Sequence, residues 1–190
     1  MLRKSDCHLM RGNEAKFILN AKAQARKEQI LAELRETRVQ ILNEAAALPA
    51  EKQDMVFLGI WSVKDLLAHL AGWDFANLEA VEAVLAGRLP AFYEYRSPDW
   101  QAYNATLVAK YKRDSMDELL ELVRDSQRQL IDYLQTIPPE SFGKDFGVRF
   151  RGYKVIVQRL LEAENKDEKM HLRQIQDFLQ VTVNSQLTVT

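Results

Sequence analysis

Apolar residues recur every three to four positions along most of this chain, in long stretches that proline and capping serines cut into separate segments. That rhythm is the period of an amphipathic helix and fits little else. From about residue 23 to 48, Leu31, Leu34, Ile41, Ala45 and Leu48 share one stripe, Arg38 is its one interruption, and Pro49 closes it. Ser62 precedes Val63 with Asp65 three positions on, a capping box in which the hydroxyl serves a free backbone N–H and the carboxylate reaches back to the cap. The helix it opens carries Val63, Leu66, Leu67, Leu70, Leu78, Val81, Val84 and Leu85 and runs to about Gly87 and Pro90. Ser97-Pro98 reads as a cap with proline in the first turn of a shorter helix, along which Trp100, Tyr103, Leu107 and Tyr111 repeat. Ser115 with Glu118 forms a second box, and the stripe through Leu119, Leu120, Val123, Leu130, Ile131, Leu134 and Ile137 stops at Pro138-Pro139. A last stripe spans about 154 to 180, with Val157, Leu160, Leu161, Ile175, Phe178 and Leu179.

Four long segments of this kind predict an all-α four-helix bundle over residues 23–180. The segment 88–114 adds either a fifth short helix between the second and third or a lid over a pocket mouth. Residues 1–22 show no clear stripe and read as a frayed extension, and residues 181–190, VTVNSQLTVT, as a loosely ordered tail. Between Ser141 and Tyr153, Phe146, Val148 and Phe150 alternate with Gly147, Arg149 and Arg151, which suggests an extended loop laid over the core.

Composition narrows the function classes. The 190 residues suit one domain, and 26 Lys and Arg against 27 Asp and Glu provide no global positive field for nucleic acid or an anionic membrane. Nucleic acid and membrane partners are therefore not expected. Cys7 is the single cysteine, so neither an internal disulfide nor a thiolate-rich zinc site can form. With no secretory signal pattern and no run approaching a membrane span, a cytoplasmic location is expected. Gly-rich phosphate loops, Walker sequences and nucleophile elbows are absent, which argues against nucleotide and serine hydrolases.

The informative irregularity lies in the last helix. Stepping from Val157 and Leu160 by threes and fours lands on Glu164, Asp167 and His171 before Ile175 and Phe178 resume. Ionisable groups on a core seam must pair, bind an ion or line a wet cavity. Asp167 and His171 stand one turn apart on one face, the spacing that presents two ligands to one metal. His69 lies at the edge of the apolar face of the second helix and points inward. Two imidazoles and a carboxylate suit Zn, Ni, Fe or Mn with positions left open, and Glu164 is a candidate either to orient a ligand or to act as a base on bound water. Each residue also has a plainer reading: His69 as a core histidine bonded to a carbonyl, Asp167 as part of a solvated charged face. Asp65 is explained by its cap, and His8 beside Cys7 by chance. Trp61, Trp73, Trp100, Tyr103 and Tyr111 are core or pocket lining, and Lys110, Lys112 and Arg113 a solvated helix end.

The run Trp61-Ser62-Val63-Lys64-Asp65-Leu66-Leu67-Ala68-His69-Leu70-Ala71 resembles the second-helix signature of the DinB-like four-helix bundle superfamily. His171-Leu172-Arg173-Gln174-Ile175 resembles the end of its last-helix metal motif. Asp99-Trp100 with Asn104, the Leu119 to Leu134 helix and the Phe146 to Tyr153 loop are most similar to the ClbS/DfsB branch, over about residues 23–180. The resemblance implies a divalent transition metal held by His69, Asp167 and His171, where Asp167 replaces the usual histidine. It also implies a pocket lined by Trp73, Trp100 and Asn104. The expected activity is metal-dependent hydrolysis or thiol transfer on a small electrophilic molecule, with a low-molecular-weight thiol as co-substrate in the second case and a protective role. Other classes stay open: a metal-free hydrolase of the ClbS kind, a small-molecule binder without turnover, or a structural bundle that forms a homodimer.

Overall fold

In the computed structural model, the described backbone covers residues 4–95 and 100–187, and the described side chains residues 17–95 and 100–180. Six helices account for most of it: α1 (Lys4–Ala46), α2 (Val63–Leu85), α3 (Trp100–Tyr111), α4 (Met116–Thr136), α5 (Pro139–Gly143) and α6 (Val157–Leu187). α1, α6, α2 and α4 pack in a ring, each against the next, and make the expected all-α four-helix bundle. α3 is the additional helix and lies on α2.

α1 and α6 run parallel, as their rungs show: Arg26 pairs with Glu162, Asn165 donates to the Ile30 carbonyl, Lys169 pairs with Glu33 and Gln176 donates to Glu44. α1 starts far earlier than the apolar stripe indicated. Between Asn13 and Ala47 no glycine or proline interrupts it, so the helix continues through the segment read as an extension, with Phe17, Ile18 and Leu19 exposed. α6 likewise carries the backbone of the expected loose tail as far as Leu187.

The punctuation works as its chemistry requires. At α2, Ser62 accepts from the Asp65 N–H while the Asp65 carboxylate accepts from the Ser62 N–H at 2.9 Å, the reciprocal box. The helix ends in a Schellman motif: Gly87 takes φ +72°, the Arg88 N–H donates to the Ala83 carbonyl and the Gly87 N–H to that of Val84. At α4 only the forward half of the box forms, Ser115 Oγ accepting from the Glu118 N–H. The other end of α4 is capped from outside, where Lys27 Nζ donates to the carbonyls of Gln135 and Ile137 at 2.9 and 2.6 Å. The expected Ser97-Pro98 cap of α3 lies outside the described residues, as do Asp99 and residues 188–190.

The alternating segment corrects a second expectation. It takes in the end of α5 and then leads into a small hairpin, β1 (Arg149–Phe150) paired antiparallel with β2 (Tyr153–Lys154). The partner strand follows at once, because Arg151 and Gly152, at φ +49° and +83°, turn the chain in two residues. Two apolar clusters fill the bundle. One, around Val81, Leu130, Leu134 and Leu161, lies toward the hairpin, and the other, around Leu66, Leu67, Leu119 and Ile175, toward the α1–α2 loop. No helix among the described residues is long and apolar enough to cross a membrane.

Candidate metal centre

His69 and His171 meet between α2 and α6, with ring centroids 5.2 Å apart and planes at 83°. Asp167 Oδ2 stands 3.2 Å from His171 Nε2 and 3.8 Å from His69 Nε2. One donor atom from each residue lies within 4.8 Å of the others, close enough for all three to reach one ion. His171 Nδ1 is 2.7 Å from Gln174 Oε1 one turn on; a proton there, donated to Gln174, leaves Nε2 the lone pair that faces the cluster.

His69 shows whether these residues fit a metal. Its ring is almost wholly buried, wedged between Trp61 and Trp73, and neither Nδ1 nor Nε2 has a hydrogen-bond partner. A buried polar atom without a partner costs about 1–3 kcal/mol. A proton shared by His171 and Asp167 satisfies those two and does nothing for His69, whereas a cation among the three engages its Nε2. Burial, the largest influence on His69, pushes its pKa down and keeps the imidazole neutral, the state that ligates. Burial pulls the Asp167 carboxyl up but is outweighed by the two histidines, which hold it well below the usual carboxylate range. The donor set of two nitrogens and one oxygen suits Zn, Ni, Fe or Mn.

The line of burial on α6 differs from the expected seam. It runs Leu161, Glu164, Glu168, His171, Ile175, while Asp167 stands to one side with its side chain 42% exposed. The reason is the helix's choice between steps of three and four: the core takes Glu168, and Asp167 reaches the histidines from the rim. The position of Glu168 is fixed from α1. Arg38, the lone polar residue in the first stripe, is fully buried and spans the bundle interior. Its guanidinium donates to Glu168 at 2.7 and 3.2 Å and to Asp74 at 2.7 and 3.1 Å, and Ser126 Oγ donates to Asp74 at 2.6 Å. Sequence reasoning found Arg38 and missed its partners. The available signal was that a cation in a core stripe requires acids, and Glu168 lay one turn from both Glu164 and His171.

Beside the cluster opens a cleft of about 330 Å³, lined by Trp73, Asn77, Phe92, Tyr93, Trp100, Asn104, Leu160, Ala163, Glu164 and Asp167. Asp167 is thus shared by cleft and cluster. Trp73 Nε1 donates to Asn104 Oδ1 at 3.0 Å, which ties α2 to α3, and Trp100 packs 5.9 Å from Trp73. α3 is therefore both a packed fifth helix and a wall of the cleft. Glu164 is buried at the cleft's inner wall, where Asn77 Nδ2 donates to its Oε2 at 2.8 Å. Burial, reinforced by Glu168 and Asp74, pushes its pKa well above the ordinary value. Among the other aromatic candidates, Trp61 covers the His69 ring, Tyr103 packs on Trp73, and Tyr111 stacks on Phe75 away from the cleft lining. Lys112 is less free than a solvated helix end implies, since it bonds Asp65 at 2.7 Å. A larger groove, about 620 Å³, follows the outer faces of α1 and α6, and none of its lining residues belongs to the histidine cluster.

The fold is shared with several solved structures. The sibling lethal factor precursor DfsB superposes with a TM-score of 0.67 at 18% identity, over 82% of this chain and 96% of that one. The colibactin self-resistance protein ClbS, solved in complex with double-stranded DNA, gives 0.63 at 15%, over 79% and 94%. An uncharacterised protein from Clostridium difficile 630 gives 0.67 at 15%, over 82% and 96%. Among curated proteins, none matches this sequence. Residues 53–175, which include α2, α3, α4 and the part of α6 that bears Asp167 and His171, match the DinB superfamily, and the chain belongs to that family.

Proposed function

We propose that this protein is a metal-dependent enzyme of the ClbS/DfsB kind that acts on a small electrophilic molecule, by hydrolysis or by transfer of a low-molecular-weight thiol, in a protective role. The observation that carries the reading is His69: a neutral imidazole held inside the fold with both nitrogens unpartnered, beside a histidine and an ionised aspartate one turn apart. His69, Asp167 and His171 would hold a divalent ion such as Zn, Ni, Fe or Mn. Such an ion supplies Lewis acidity and brings the pKa of a water or thiol nucleophile toward neutrality.

The chain's own groups divide the remaining work. Gln174 fixes the ring of His171, and Trp61 and Trp73 bracket that of His69, so both nitrogens are aimed before any ligand arrives. Trp73, Phe92 and Trp100 exclude water from the substrate side, and the Asn104 amide, with its oxygen engaged by Trp73, keeps its N–H groups for a polar substrate atom.

Elemental analysis of untagged protein tests the reading, beside His69→Ala, Asp167→Ala and His171→Ala prepared identically. About one transition metal per chain in the parent and none in the variants is expected for a closed three-residue set. Thiol-transfer and hydrolysis screens would then separate the two activities. A parent that takes up none of Zn, Ni, Mn or Fe overturns the reading in favour of a metal-free hydrolase or binder using the same cleft.

A further inference from the structure

We infer that Glu164 serves as a neutral carboxylic acid that donates a hydrogen bond into the cleft, and that the cleft therefore takes a flat, uncharged electrophile bearing an acceptor atom such as a carbonyl oxygen. The inference rests on the proposed function for the identity of the site and adds the class of substrate it accepts.

The warrant is a count of charges around one side chain. Three buried carboxyl groups, Asp74 from α2 and Glu164 and Glu168 from α6, lie around one buried guanidinium, that of Arg38 from α1. Arg38 gives four hydrogen bonds to Asp74 and Glu168 and a longer one to the Val123 carbonyl, and none to Glu164. The remaining acid in the neighbourhood, Asp167, lies one turn along α6 and engages the histidines. Glu164 is thus left with one amide donor, Asn77 Nδ2, on Oε2. A carboxylate desolvated beside two other acids and denied a cation takes up a proton instead. The general base expected from the sequence needs the ionised form, and these surroundings withhold it. With Oε2 accepting from Asn77, the acidic proton is left to Oε1, and with Glu164 in the cleft lining it can meet a substrate acceptor and polarise it.

The rest of the cleft agrees. Its described lining contains no lysine or arginine to neutralise an anion. Trp73, Phe92 and Trp100 lie in mutual contact, with centroids 5.4 to 5.9 Å apart, and present ring faces and edges to a planar body.

Two measurements on the full chain as purified test this. Infrared difference spectra at neutral pH, parent minus Glu164→Gln, should contain the C=O stretch of a protonated carboxylic acid; its absence from the difference overturns the assignment. Tryptophan fluorescence, with Trp73 and Trp100 as reporters, then follows titration with benzamide and with benzylammonium. Benzamide should quench the parent; Glu164→Gln should leave both affinities within about twofold, and Glu164→Leu should weaken benzamide about five- to tenfold. Failure of benzamide to bind the parent, its indifference to Glu164→Leu, or a large loss of benzylammonium in Glu164→Gln would each overturn the inference. Elemental analysis reads the metal and the infrared band reads the proton. A metal-free chain with the band sinks only the earlier proposal, and a loaded chain without it sinks only this one.

Discussion

Replacing Arg38 by methionine tests the buried ion network most directly. Methionine fills a similar volume, so the change removes charge more than packing. Arg38 is fully buried, and both acids it holds are about 1% exposed, so water cannot substitute for the lost guanidinium. Breaking a buried pair from one side costs about 3–5 kcal/mol, because the other charge is left uncompensated. At about 2–4 °C per kcal/mol for a chain of this size, the melting temperature should fall by roughly 6–20 °C. The loss should also depend on pH. Burial already raises the Glu164 and Glu168 carboxyls above their ordinary value, against the pull of Arg38. An acid whose folded pKa is raised favours folding when protonated and opposes it when ionised, so stability declines as pH climbs from the usual carboxylate range through the raised one. Without Arg38 both acids rise further. The deficit of the variant should therefore be small near pH 4, where the acids are protonated in any case, and grow toward pH 8. Urea melts followed by far-ultraviolet circular dichroism across that range measure it. A deficit below about 1 kcal/mol at neutral pH, or one that does not change with pH, would falsify the argument that these charges depend on one another.

Other expectations are narrower. Gly72→Ala places a Cβ 2.7 Å from Leu107 Cβ, an atom too near the backbone to move aside, so overpacking should outweigh the gain in helix propensity and cost about 1–3 kcal/mol by chemical denaturation. Ser62→Ala removes the acceptor of the α2 capping box and should lower stability by about 1 kcal/mol in the same assay. Lys27→Met strips the C-terminal carbonyls of α4 of their outside donor, and amide hydrogen exchange should rise selectively in the last turn of α4, with a loss of about 1–3 kcal/mol. Asp167→His should retain metal with the same stoichiometry by elemental analysis, because the rim position reaches both histidines; loss of the ion would show that an imidazole at this position cannot complete the set.

The helices were legible because their signals are local. The Ser62 box, the Gly87 stop and the stripes from Leu119 to Ile137 each need only a few neighbouring residues to be read. The three candidate ligands were also legible, two by their one-turn spacing and His69 by its place at the edge of an apolar face. What escaped was whatever depends on a partner distant in sequence. Arg38 stands 36 residues from Asp74 and 130 from Glu168, and no local pattern announces either pairing. Asp167 and Glu168 are adjacent on α6, and only the packing of α1 and α2 decides which enters the core. The hairpin failed for a different reason: its turn uses arginine at positive φ before Gly152, where asparagine or aspartate would have been the usual signal.

The pairing of Arg38 with Glu168 has a consequence for the azimuth of α6. A helix seated only on leucines can roll a few degrees or slip along its neighbour with little change in energy, since one apolar contact replaces another. Here a forked cation grips one carboxylate on α6 and one on α2 at fixed angles, and residues 167 and 171 ride on the gripped helix. Rotating α6 enough to spoil the approach of Asp167 to His69 would first have to tear that grip. The aim of the candidate ligands is thus set by a side chain that bonds none of them, in the way a keyway sets a shaft.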